Sequence, residues 1–241
     1  MKKSLIGALA LVSALGYSQV LFETGFEAGE GYALGSISGQ NGWSADSGTA
    51  NVVDTTVADG TQSLQVPGTG WFWPNLGYNH STATNKVLIV RWDMFIPSAG
   101  TPGSYGIDIY TDVVERVAAM RVNATGSVDY IHFAGGTTST VVNTGAPVAY
   151  DTWNRFHMAL DFQAGTWIGK VNGVQVGGDN TIRTGISTVI GDADIQGVAA
   201  GTGGGFFDNY KAEAAPVPEP ATMIALGMGA LGIAARRRRK A

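Results

Sequence analysis

The sequence predicts an all-β protein, a two-sheet antiparallel sandwich, and three observations carry that reading. No long internal stretch repeats its apolar residues at the roughly 3.6-residue period of a helix. Apolar residues alternate instead over short runs, as in strands with one face buried. Clusters of Gly, Asn, Asp, Ser and Thr separate those runs, and glycine alone supplies 35 of 241 residues, about double its usual share of ~7%. Many short strands punctuated by turns mean a sandwich or jelly roll.

The elements follow in order. Val87–Ile96 reads as a strand ended by Pro97. Tyr105–Tyr110 and Arg116–Val122 are the next two. Asn123-Ala-Thr-Gly126 then turns the chain, and Ser127–Phe133 returns as a hairpin partner. Asn154–Phe162 places Phe156, Met158, Leu160 and Phe162 on one face. Trp167–Val171 follows, with Asn172-Gly173 supplying the positive φ of a tight hairpin, and Val174-Gln-Val176 begins the return. Phe206–Glu213 is the last strand. No repeat or linker interrupts residues 19–213, which read as one domain with adjacent terminal strands.

Composition excludes several classes of function. Cysteine is absent, which removes thiol nucleophiles, thiolate metal sites and disulfides. Charged residues make up 14%, against roughly 25% in an average domain. The net charge of −4 hides three segments: +2 over residues 1–18, −10 over 19–215 and +4 over 216–241. The acidic middle would repel nucleic acid. No G-x-S-x-G elbow or H-E-x-x-H motif occurs. His80, His132 and His157 lack metal-ligand spacing. Gly201-Thr-Gly-Gly-Gly205 lacks the Lys-Ser/Thr of a phosphate loop and reads as a turn.

The two ends are addresses. Lys2 and Lys3 precede about a dozen apolar or small residues, and Gly16-Tyr17-Ser18 offers a small-x-small cleavage pattern. Residues 1–18 therefore read as a signal peptide. Residues 214–241 run from a Pro-rich stretch through an uncharged apolar helix to a basic end. The helix, Ala221–Ala235, is 15 residues, short of the ~20 that span a bilayer comfortably. The basic cluster keeps the C-terminus cytoplasmic and the acidic domain outside. Val217-Pro218-Glu219-Pro220-Ala221, the short transmembrane helix and Arg236–Arg239 together resemble a PEP-CTERM sorting signal. That resemblance implies a protein exported from a bacterial cell, passing through an inner-membrane intermediate to the cell surface or beyond. It implies an exosortase as the partner that processes it, with Pro218, Glu219 and Pro220 as the recognition motif. Arg236, Arg237, Arg238 and Arg239 match the basic stop. It also implies an association with exopolysaccharide and biofilm.

A second resemblance lies in the domain. Trp153-Asn-Arg-Phe-His-Met-Ala-Leu-Asp161 followed by Gly165-Thr-Trp-Ile-Gly-Lys-Val-Asn-Gly173 is similar to a hairpin of concanavalin A-like lectin/laminin G-type jelly rolls. Phe22–Glu27 and Phe207-Asp-Asn-Tyr210 resemble the first and last strands of carbohydrate-binding jelly rolls. The likeness implies a structural Ca²⁺ between those strands, for which Glu27 and Asp208 supply hard oxygen donors. Trp71-Phe-Trp-Pro-Asn75, with Tyr78 nearby, gathers rings that either stack on sugar faces or alternate into the core. Asp108, Asp112 and Glu115 are the nearest approach to a glycosidase acid run, with Asp108 and Asp112 able to share a strand face, and Asp192 with Asp194 reads as an exposed loop pair. The resulting expectation is a non-enzymatic, exported surface or matrix protein. The alternatives are a glycan-binding lectin-like module and a glycoside hydrolase.

Overall fold

The computed structural model describes residues 17–98, 103–133, 136–199 and 203–217. The expected signal helix, the expected apolar C-terminal helix and the sorting residues Pro218, Glu219, Pro220 and Arg236–Arg239 lie outside them. No helix among the described residues is long and apolar enough to cross a membrane.

The strands run in chain order as β1 (Gln19–Thr24), β2 (Gly35–Ser36), β3 (Trp43–Ser47), β4 (Asn51–Val53), β5 (Ser63–Val66) and β6 (Gly70–Pro74). Then come β7 (Tyr78–Asn79), β8 (Val87–Phe95), β9 (Ser104–Thr111), β10 (Arg116–Val122), β11 (Ser127–Phe133) and β12 (Ser139–Pro147). The last are β13 (Trp153–Asp161), β14 (Thr166–Val171), β15 (Val174–Thr181), β16 (Val189–Ala199) and β17 (Gly205–Ala215). Helix among the described residues is one 3-10 turn, Ala28–Glu30.

The strands form two sheets, and every pairing is antiparallel. The first runs β15-β14-β13-β8-β17-β5-β4-β2, with β1 also on β17. The second runs β12-β11-β10-β9-β16-β6-β3, with β7 on β16. The terminal strands β1 and β17 pair directly. The expected hairpins form: β10 pairs β11 across the Asn123–Gly126 turn, and β14 pairs β15 across Asn172-Gly173. Both turn residues there hold positive φ, 50° and 82°, which Asn and Gly accept at least cost.

The core lies between the sheets because alternation along each strand sends one set of side chains inward. Phe156, Met158 and Leu160 of β13 are fully buried against Ile107, Ile109, Met120 and Ile195 of the second sheet. Phe162, expected on that face, lies just past β13, half-buried and stacked on His80 at 4.2 Å. Trp92 stacks on Phe156 at 5.3 Å. Each such side chain contributes about 1.5–3 kcal/mol on leaving water.

The same alternation gives each sheet a polar outer face. On the first sheet, Arg91, Asp93, Arg155, Lys211 and Glu213 pair off across it. The outer face of the second is differently made.

Candidate functional site

Strands β6, β16, β9 and β10 lie side by side in the second sheet, and register lines up their outward residues in rows. Trp71 faces Gln196, Gln196 faces Gly106, and Gly106 faces Arg121. One step along, Asp194 faces Asp108. A further step brings Asp192 opposite Tyr110 and Tyr110 opposite Arg116. Within β6, Phe72 points inward and is 1% exposed, while Trp71 and Trp73 on either side are half-buried on the outer face. The run alternates, with Phe72 in the core and Trp71 and Trp73 on the outer face.

Trp71, Trp73, Tyr110, Asp192, Asp194, Val114 and Asp46 line a cleft of about 420 Å³ on this face. Asp46 is exposed at its rim, from β3. Val114 forms another part of the rim in the turn between β9 and β10. It is 80% exposed and sits at φ 62°, a left-handed conformation that a β-branched residue adopts only under constraint.

The electrostatics centre on Asp108, which is 0% exposed. Arg121 donates to both of its oxygens, with Nε to Oδ1 at 2.9 Å. Arg116 Nε lies 2.8 Å from Oδ2. Arg116 also donates through Nη2 to the Tyr110 hydroxyl at 2.9 Å, and its guanidinium sits 5.5 Å from that ring's centre. Gly106 makes room for this: a Cβ there would lie 2.6 Å from Arg121 Cα and 3.0 Å from its Cγ. Both cations are therefore committed to one buried carboxylate. Burial, then the Asp108 charge, pushes the Tyr110 hydroxyl up to about 12.

Asp192 and Asp194 form no ion pair among the described residues, and the Arg116 charge only weakly opposes the rise at Asp194. They hydrogen-bond to each other, and burial raises both carboxyls, Asp194 further raised by the Asp192 charge. Like charges this close cannot both ionise freely, so the pair retains a proton above the usual carboxylate range. Asp194 is 6% exposed, Gln196 is 0% exposed, and Oδ1 of Asp192, Oδ1 of Asp194 and both amide atoms of Gln196 have no hydrogen-bond partner. A buried polar atom left this way costs about 1–3 kcal/mol. Four of them fall within five residues of one strand, beneath the lining of the cleft.

Other expected residues fall elsewhere. Asp192 and Asp194 belong to a central strand, which corrects their reading as an exposed loop pair. Asp112 is exposed in the turn after β9, away from the buried Asp108, so these two do not share a strand face. Tyr78 does not join Trp71 and Trp73: it is 4% exposed in the core and donates its hydroxyl to the Asn85 carbonyl at 2.6 Å. A single turn of chain after β6 carries it to β7 and inward.

Glu27 and Asp208 do come together, on either side of Gly25, and both bind the loop that precedes β5. Glu27 accepts from the Thr61 and Gln62 amides at 2.9 and 3.0 Å and from the Thr61 hydroxyl at 2.7 Å. Asp208 accepts from the Ala58, Asp59 and Asn209 amides at 3.0, 3.2 and 2.7 Å. Partial burial works to raise the Glu27 carboxyl, but the Thr61 and Gln62 hydrogen bonds outweigh it and hold it low. Burial pushes Asp208 up to about 6 against its three amides, and the Glu27 charge adds to the rise. Every carboxylate oxygen here is aimed at an N–H or O–H donor. Calcium requires 6–8 oxygen ligands, and among the described residues no three acidic or histidine side chains are arranged to hold a metal ion. The donor set fits a loop clasp and does not fit the expected ion.

Sequence reasoning missed β16 and with it Asp192, Asp194 and Gln196 as site residues. The available signal was period-2 alternation, Ile190, Ala193 and Ile195 inward against Asp192, Asp194 and Gln196 outward. A bulge between Ile190 and Asp192 breaks its phase.

Comparison with known proteins adds two findings. Residues 216–239 match the PEP-CTERM protein-sorting motif. That motif marks a protein exported from a bacterial cell through a membrane-associated step and implies processing by an exosortase. No curated protein matches. Among solved structures, an endo-β-1,4-glucuronan lyase from the fungus Trichoderma reesei superposes with a TM-score of 0.54 at 12% identity, over 82% of this chain and 96% of its own. A sialidase superposes at 0.50 with 14% identity, over 71% of this chain and 17% of its own. A carbohydrate-binding module from Bacillus subtilis gives 0.49 at 15% identity, over 74% of this chain and 99% of its own. At these identities the likeness is one of fold alone, a two-sheet antiparallel β-sandwich.

Proposed function

We propose that this chain is an exported surface or matrix protein, delivered by an exosortase, whose sandwich engages extracellular polysaccharide without cleaving it. The observation that carries the reading is the cleft on the second sheet. Trp71 and Trp73 offer half-buried rings in a cleft also lined by the carboxyl side chains of Asp46, Asp192 and Asp194. Sugar rings present apolar C–H faces for such aromatics and hydroxyls for such carboxyls. Binding is favoured over cleavage by the acid geometry. Glycosidase acid pairs stand about 5–5.5 or 6.5–9.5 Å apart, whereas Asp192 and Asp194 hydrogen-bond to each other. The remaining central carboxylate, Asp108, is held by two arginines and has no exposure.

Retention of the full-length chain in native gels containing polysaccharide tests this. Trp71→Ala and Trp73→Ala each weaken retention by tenfold or more while the melting curve stays cooperative. Equal retention of wild type and both variants removes the aromatic platform from the reading. Reducing-end release from any retained polymer replaces binding with catalysis.

A further inference from the structure

The cleft also carries information about which polysaccharide it takes. Resting on the glycan-binding reading above, we propose that it selects neutral, hydroxyl-rich polymers and rejects polymers of uronic acids. Its charged lining is entirely carboxyl: Asp46 at the rim and Asp192 and Asp194 within. No Lys or Arg lines it. The two arginines on the same face are consumed by Asp108, Arg121 through both carboxylate oxygens and Arg116 through one oxygen and the Tyr110 hydroxyl.

A uronate carboxylate entering here meets the exposed Asp46 carboxylate and the one negative charge that the proton-sharing Asp192–Asp194 pair keeps, with no Lys or Arg in the lining. Like-charge contact at such a distance costs more inside a cleft than in water, because the walls exclude the screening solvent. A neutral sugar meets the opposite situation. Its hydroxyls pair with the carboxyls of Asp192 and Asp194 that line the cleft, Asp192 being the more exposed of the two. Hydroxyl-to-carboxylate hydrogen bonds are among the stronger kind, and the proton shared by the pair lets one carboxyl donate while the other accepts. Trp71, Trp73 and Tyr110 take the C–H faces. The glucuronan lyase of similar fold is named for an acidic polymer, so the shared sandwich would here serve the other charge class.

Native gel retention of the full-length chain separates the outcomes, with laminarin and galactomannan as neutral probes and alginate and polygalacturonate as acidic ones. The expected result is retention by at least one neutral probe, tenfold or more above either acidic probe at low salt. Asp192→Asn weakens neutral retention several-fold, and Asp46→Lys, an exposed rim change, raises retention by alginate. Retention by acidic probes equal to or above the neutral ones overturns the charge selection and leaves glycan binding standing. Retention by none of the four, with a cooperative melting curve, overturns both.

Discussion

The two sheets carry outer faces of similar polarity put to different use. On the first, most charges have an opposite neighbour, Arg91 with Glu213, Arg155 with Asp93 and Lys211 with Glu23 and Glu213, while Lys170 stands outside these pairs. Asn209 adds a hydrogen bond to Asp93 at 2.9 Å. Those pairs reach toward water, with Arg155 70% exposed. On the second, one carboxylate holds two arginines while two other carboxyls share a proton, keep a buried oxygen each without a partner, and line a cleft. The first face is satisfied by its own residues except at His157, whose buried Nε2 has no hydrogen-bond partner. The second keeps an unmet hydrogen-bonding demand at a cost in stability, which is the ordinary signature of a binding surface.

The sharpest way to break that contrast is Asp108→Asn. Removing one partner of a buried ion cluster leaves the others uncompensated, and the typical cost is about 3–5 kcal/mol. Arg116 and Arg121 keep 31% and 13% side-chain exposure, so partial rehydration places the expected loss near the lower bound, ~3 kcal/mol. Urea unfolding reads it. A loss below about 1 kcal/mol would mean that the arginines hydrate freely and that Asp108 organises nothing.

Asp194→Asn should act in the opposite direction. A carboxyl raised in the folded state favours protonation there. Its stability contribution is complete below the unfolded value of 3.8 and is lost as pH rises through the folded value. Wild type therefore gives up stability from about pH 4 upward on this account, and the amide, which has no charge to lose, does not. The variant is expected to be more stable by about 1–2 kcal/mol near pH 8 and close to wild type near pH 4. His157, lowered to about 4 mainly by burial, tilts the whole curve the other way between its folded value and 6.5. It is common to both proteins and cancels in their difference. A variant less stable at every pH would show that Asp194 is a structural acceptor.

How much of this was legible in the sequence follows from residue chemistry. The strands of the first sheet announce themselves because Phe156, Met158 and Leu160 alternate with polar residues, and Asn172-Gly173 can do little but turn. β16 did not, since Gly191, Asp192, Asp194 and Gly197 are the residue types that strands avoid. Pairing on both sides, to β9 and to β6, overrides that local reluctance. Trp71 and Trp73 were legible as rings. The acids opposite them are more than a hundred residues away in sequence and became neighbours only through the sheet order.

On the first face the same kind of change should do little. Arg155→Gln deletes a charge paired with Asp93, but Arg155 is 70% exposed and Asp93 retains Asn209. Exposed pairs contribute roughly 0–1 kcal/mol, so about 0.5 kcal/mol or less is expected by urea unfolding. A loss comparable to that of Asp108→Asn would erase the distinction between the two faces.

The smallest effect is expected at the edge of that first face, where Glu27 and Asp208 clasp residues 58–62. Their oxygens already receive amide and hydroxyl protons, and a cation placed among N–H donors meets repulsion from the same dipoles that satisfy the carboxylates. Chelation of the full-length chain should therefore move Tm by less than about 1 °C. The threshold discriminates well: an ion held at 100 times its Kd contributes about 2.7 kcal/mol, and each kcal/mol shifts Tm by ~2–4 °C in a domain near this size, so its removal would be seen as a drop on the order of 5–10 °C. Glu27→Ala supplies the internal control. The clasp loses three hydrogen bonds whether calcium is present or absent, so the variant should melt lower by the same amount in calcium and in chelator. If the deficit of Glu27→Ala appears in calcium and vanishes in chelator, then Glu27 acts through an ion, the amides turn away to admit it, and the first face is completed by a ligand just as the second is.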